Sequence, residues 1–65
     1  MNERRIQKQL DRIHGRFFRM YHEIKNSQPV PGRDYLKVLA EINRADEMTV
    51  SAFHSLGKII EKKRQ

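Results

Sequence analysis

The feature that most constrains this chain is a row of apolar residues in its first third. Between Ile6 and Ile24, large apolar side chains recur at alternating steps of four and three residues. This spacing is typical of an α-helix whose apolar edge is buried along its length. No proline interrupts the row, and Gly15 lies outside it. The row, called the seam from here on, comprises Ile6, Leu10, Ile13, Phe17, Met20 and Ile24.

A second row on the same predicted helix is basic. Its members also follow steps of three or four residues, which places them about 120° around the helix from the seam. Arginine supplies four of the five, and a guanidinium group binds phosphate oxygens in pairs. The row, called the basic stripe, comprises Arg5, Lys8, Arg12, Arg16 and Arg19. It either binds an anion or simply keeps the helix surface solvated.

Length and composition limit the class of protein. A chain of 65 residues makes at most one small domain, and such a domain is marginally stable unless something reinforces it. Because the chain has no cysteine, the reinforcement must come from helix packing or from association of copies. No apolar run approaches the roughly 20 residues of a membrane span, and the polar N-terminus is unlike a signal peptide. We therefore expect a soluble, cytoplasmic protein that does not contact membranes.

The positive charge of the chain is unevenly distributed. The net charge of +6 divides into +4 over residues 1–26, −1 over residues 27–57 and +3 over residues 58–65. A basic helix and a basic tail around a nearly neutral middle indicate an acidic partner. Double-stranded DNA and an acidic protein surface both fit this description.

Interruptions of the apolar pattern divide the chain into three predicted helices. The first runs from about residue 2 to 26, with Asn2 as its N-cap. Two prolines and a glycine then predict a stiff corner at residues 27–32. The apolar periodicity resumes and predicts a second helix over about 33–45.

The third helix is predicted to follow a short turn at Asp46–Met48. Thr49 offers a side-chain oxygen as N-cap, and the helix should run over about 49–63. The predicted fold is therefore all-α: one domain in which a long N-terminal helix packs against a C-terminal hairpin with the dimensions of a helix-turn-helix. Any three-helix bundle contains a hairpin of this kind, so a purely structural role is the alternative.

Nothing in the sequence indicates an enzyme. His14 and His22 are eight residues apart, and His54 has no histidine or cysteine three or four residues away, so the histidines predict no metal site. The chain is also too short to build a catalytic pocket. We expect no cofactor and no small-molecule substrate.

Two short stretches resemble the early part of MarR-type winged-helix regulators. They are Val38-Leu39-x-x-Ile42-x-Arg44 and Met48-Thr49-Val50-Ser51-x-Phe53. That family has a dimerising N-terminal helix, a helix with the pattern VLxxI and a helix with the pattern TVSxL. The resemblance covers residues 30–56 and implies a dimer built partly through the first helix. The DNA-reading helix and β-wing of the family should follow, but a basic tail stands there instead.

Two functional hypotheses follow from these patterns. The first is a small, dimeric, DNA-associated transcriptional regulator. The second is a small inhibitor or antirepressor that docks on an acidic regulator or enzyme through the first helix. The seam would form the partner or dimer interface in either case. The predicted nucleic-acid contacts are Arg5, Lys8, Arg12, Arg16, Arg19, Ser55, Lys58, Lys62, Lys63 and Arg64.

Overall fold

The computed structural model describes residues 1–27 and 33–64, and it shows two long α-helices there. Helix α1 spans Glu3–Ser27 and helix α2 spans Arg33–Arg64. They run antiparallel, because Glu3 contacts Lys63 at one end and His14 contacts Asp46 near the middle. The resulting hairpin measures 51 × 15 × 14 Å. The predicted all-α class is confirmed.

The start of α1 is set by local chemistry. The backbone N–H of Arg5 donates to the side-chain oxygen of Asn2 at 3.1 Å, so Asn2 caps the helix as predicted. At the other end, the Ser27 hydroxyl donates to the carbonyl of Ile24 at 3.1 Å. The predicted corner falls almost entirely on residues 28–32, which lie outside the described part of the chain.

The prediction of three helices is wrong, because the second and third are one continuous helix. Residues 45–49 are helical, so the turn predicted at Asp46–Met48 is absent, and with it the break that a helix-turn-helix hairpin requires. Thr49 is not an N-cap: its hydroxyl donates to the carbonyl of Ala45, one turn earlier, at 3.0 Å. Asp46 is instead held by His14 of α1, with 2.6 Å between Nδ1 and Oδ1. Neither proline nor glycine occurs between residues 33 and 56 to stop the helix.

Each helix contributes one inner row to the contact between them. The members of these rows are side chains that are partly shielded from solvent or that contact the opposite helix. They recur at steps of three and four residues. Only Leu39 among the described residues is buried, at 6% exposure. The inner rows comprise Glu3, Gln7, Leu10, His14, Phe17, Tyr21 and Ile24 on α1, and Leu39, Ile42, Asp46, Thr49, Phe53, Leu56, Ile60 and Lys63 on α2.

Polar side chains interrupt this shallow core, and partners on the opposite helix satisfy them. The Gln7 amide donates from Nε2 to the backbone carbonyl of Phe53 at 3.2 Å. Gly57 makes room for it, since a Cβ at that position would lie 3.2 Å from Gln7 Nε2. The His14–Asp46 contact provides a second polar crossing near the middle of the hairpin. The helices are therefore joined by specific polar contacts as well as by apolar packing.

Candidate nucleic-acid interface

The basic stripe lies on the outer side of α1, away from α2. All five of its side chains are exposed, and none of them belongs to the inner row. From Arg5 to Arg19 the stripe extends about 21 Å at 1.5 Å per residue. No carboxylate of the described residues lies within 4.0 Å of any of the five cations. The stripe therefore presents five charges without local neutralisation.

A second basic group lies where the two helix ends meet. The carboxylate of Glu3 accepts a hydrogen bond from Lys63, which brings the C-terminal end of α2 beside the start of α1. Arg4 and Arg64 line one groove at this end of the hairpin. The predicted contacts Lys62, Lys63 and Arg64 thus lie next to the beginning of the stripe. This group, called the basic end, comprises Arg4, Lys62, Lys63 and Arg64.

The ion pair at the basic end affects the titration of Glu3. The hydrogen bond from Lys63 is the largest of the influences that hold the pKa of the Glu3 carboxyl below its ordinary value. The side chain of Lys63 nevertheless remains 63% exposed. Lys63 is therefore still accessible to solvent and to a partner.

Substitution of Glu3 by glutamine should reduce stability at neutral pH but not in acid. Because the folded-state pKa of Glu3 is lowered, its contribution is present above the ordinary carboxyl pKa and is lost as pH falls through the lowered value. Thermal unfolding at low salt should show a Tm difference between wild type and Glu3→Gln at pH 7 that shrinks toward pH 3. The control is Glu23→Gln, since no cation of the described residues contacts Glu23. A constant Tm difference across this pH range would contradict the assignment.

The structure does not bring all ten predicted contacts onto one surface. Ser55 and Lys58 are exposed on α2, but neither lies on the inner row or at the basic end. Arg4, in contrast, lines the groove at the basic end and was missed by the sequence prediction. Arg4 lies four residues before Lys8, so the spacing that defines the stripe could have identified it. The most concentrated basic surface is the stripe together with the basic end.

The seam is divided between two sides of α1. Leu10, Phe17 and Ile24 lie on the inner row and face α2. Ile13 and Met20 lie beside that row and are 40% and 42% exposed. Half of the seam therefore contributes to the hairpin contact, and the other half flanks it.

On each helix, one row of residues lies on either side of the inner row. Three grooves along one side of the hairpin show which of these flanking rows, one from each helix, lie on that side. Asp11 and Val50 line one groove, Phe18 and Asn43 line another, and the groove at the basic end lies on the same side. The remaining flanking rows, one from each helix, must then share the opposite side. Seven of their eight described members are apolar, and the eighth is Ser27 at the end of α1. This surface, called the apolar face, comprises Ile6, Ile13 and Met20 from α1 with Val38, Ala45, Ala52 and Ile59 from α2.

The described residues contain no group of three or more histidine, cysteine, aspartate or glutamate side chains placed to hold a metal ion. Neither described helix is both long enough and apolar enough to cross a lipid bilayer. Comparisons with protein-family models, curated protein sequences and solved structures gave no match to the chain. The surfaces of the hairpin are thus the basis for a functional proposal.

Proposed function

We propose that this protein is a small, dimeric, DNA-associated transcriptional regulator that contacts the phosphates of double-stranded DNA. The observation that carries the proposal is the stripe of five exposed cations without a carboxylate partner. At the basic end, Arg4 and Arg64 line a groove beside the start of α1 and add two further cations there. An unneutralised basic surface of this kind attracts polyanions and gains affinity by releasing their counterions.

The dimensions of the stripe suit a duplex. Double-stranded DNA carries one charge per roughly 1.7 Å of its axis, so the roughly 21 Å of duplex beside the stripe carries about 12 phosphates, distributed around both strands. The phosphates in this length of duplex therefore outnumber the five cations of the stripe. Four of the five are arginines, which bind phosphate oxygens through two parallel hydrogen bonds.

The proposed binding is insensitive to base sequence. Contacts to phosphate fix a protein's position on DNA, whereas specificity requires side chains that reach base edges in a groove. Because α2 is continuous through residues 45–49, it offers no separate recognition helix. The proposed regulatory effect therefore depends on occupancy of the DNA, not on readout of a target sequence.

The test is a salt titration of binding to a random duplex of about 20 base pairs, followed by fluorescence anisotropy. If all five stripe residues contact phosphate, the slope of log K against log salt should be about −4.5. Affinity should then fall about 500-fold between 50 and 200 mM salt. Absence of binding at micromolar protein in 50 mM salt would refute the proposal.

The apolar face favours a second candidate function, an inhibitor or antirepressor that docks on another protein. Ile13 and Met20 are large apolar side chains left 40% and 42% exposed on α1. Exposed apolar surface of this kind marks interaction sites. Under this candidate, a pull-down from the native host should capture a stoichiometric protein partner, and Met20→Glu should release it. Capture that is unaffected by Met20→Glu would exclude docking through this face.

A further inference from the structure

We infer that the apolar face is a dimer interface, covered by the same face of a second copy. Helix α1 of each copy lies over α2 of the other, so that two hairpins form a four-helix bundle. This inference deepens the dimeric part of the proposed function by naming its surface and arrangement. It does not depend on whether the protein binds DNA.

The apolar face brings four partly exposed large apolar side chains onto one side of the hairpin. Its large members are partly open to solvent: Ile13 at 40%, Met20 at 42%, Val38 at 41% and Ile59 at 44%. Meanwhile, Leu39 is the only described residue that the hairpin buries. Covering this face would give the chain the second layer that a small helical domain without disulfides needs.

The area of the face matches a second hairpin. At 1.5 Å per residue the face is about 21 Å long on α1, from Ile6 to Met20, and about 32 Å long on α2, from Val38 to Ile59, and each helix is about 10 Å wide. Each copy would thus bury roughly 500 Å², or about 1,000 Å² for the pair, which is the smallest area expected of a biological interface. A single docked helix would cover only about half of this width. A hairpin is the occupant that fits, and a second copy supplies one.

Side-chain size determines the arrangement of the two copies. The contact between His14 and Asp46 places Ile13 at the level of α2 residues 45–52. A two-fold axis parallel to the helices leaves the position of every residue along the bundle unchanged in the second copy. Ile13 of one copy therefore lies opposite the stretch of the other copy's α2 that contains Ala45 and Ala52. Large side chains then lie over small ones, as close packing requires. Placing α1 over α1 would instead bring the two basic stripes side by side.

Sedimentation equilibrium with Ala52→Glu tests the interface. Two glutamates buried without partners should raise the dimer Kd by about 100-fold or more. The matched control is Ala40→Glu: Ala40 is exposed on α2 but outside the face, and this variant should remain dimeric. Circular dichroism should show the same helix content in both. A monomeric wild type, or equal Kd values for the two variants, would overturn the inference.

A cross-linking experiment tests the arrangement even if the charged variant unfolds. Chains carrying Ile13→Cys are mixed with chains carrying Ala52→Cys, whose position lies nearest to the level of Ile13, and oxidised. We expect a disulfide between the two different chains and little Ile13→Cys self-linkage. Predominant self-linkage, or no cross-link, would overturn the arrangement. A cross-linked dimer that fails to bind duplex DNA would uphold this inference and reject the proposed DNA function.

Discussion

Replacement of Leu39 by alanine should lower the free energy of unfolding by about 2 to 4 kcal/mol. Leu39 is 6% exposed and is the only described residue that the hairpin buries, so its loss leaves a cavity between the helices. A domain of this length is expected to have only about 3 to 10 kcal/mol in total. The variant should therefore lose a large share of its stability, which lowers the urea concentration at the unfolding midpoint. Urea denaturation at fixed protein concentration, followed by circular dichroism at 222 nm, measures the change.

Leu36→Ala is the matched control for this prediction. Leu36 lies on the same helix, less than one turn away, but is 54% exposed. The two substitutions change helix propensity equally, so the difference between them isolates burial. We expect Leu36→Ala to cost less than about 1 kcal/mol. Equal costs for the two variants would show that Leu39 is not the centre of the core.

Reversing two charges of the basic stripe should nearly abolish DNA binding. The variant Arg12→Glu/Arg19→Glu removes two proposed phosphate contacts and adds two repulsive charges. The expected loss at 50 mM salt is on the order of 100-fold, and the salt slope should become shallower by about two. Fluorescence anisotropy with the random duplex measures both quantities.

The control for charge reversal is Lys37→Glu/Arg44→Glu on α2. Both pairs are seven residues apart, both are exposed, and both variants change the net charge by the same amount. The control should therefore lose much less affinity if the stripe is the binding surface. Should the two variants lose affinity equally, net charge alone would explain the binding, and the stripe would have no special role.

The parts of the fold that depend on local sequence could be predicted. The extent of α1 follows from an uninterrupted apolar period, and its start follows from the Asn2 cap, which needs only neighbouring residues. The exposure of the basic stripe follows from its angular separation from the seam. None of these features requires knowledge of the other helix.

The continuity of α2 could not be predicted in this way. Thr49 after Asp46 and Glu47 has the local chemistry of a helix start, and a threonine hydroxyl can either cap a helix or bond the carbonyl one turn earlier. The second outcome occurs here, and Asp46 is engaged by His14 from the other helix. The Asp46 contact joins residues 32 positions apart, which the local sequence around Thr49 does not reveal.

The division of the seam was also hidden in the sequence. Apolar spacing identifies Leu10 and Ile13 as members of one edge, but it does not show which of them faces α2. The structure turns α1 so that the polar residues Gln7 and His14 share its inner row with Leu10. These polar residues are accommodated because Gly57 and Asp46 stand opposite them.

The polar crossings of the hairpin restrict how its helices can move. If α1 slid along α2 by one heptad, His14 would leave Asp46, the Gln7 amide would lose the space above Gly57, and Glu3 would separate from Lys63 in the same step. Purely apolar rows would tolerate such a shift, since one aliphatic side chain can replace another. The two helices can therefore separate or bend, but they have only one alignment in which all three crossings are made.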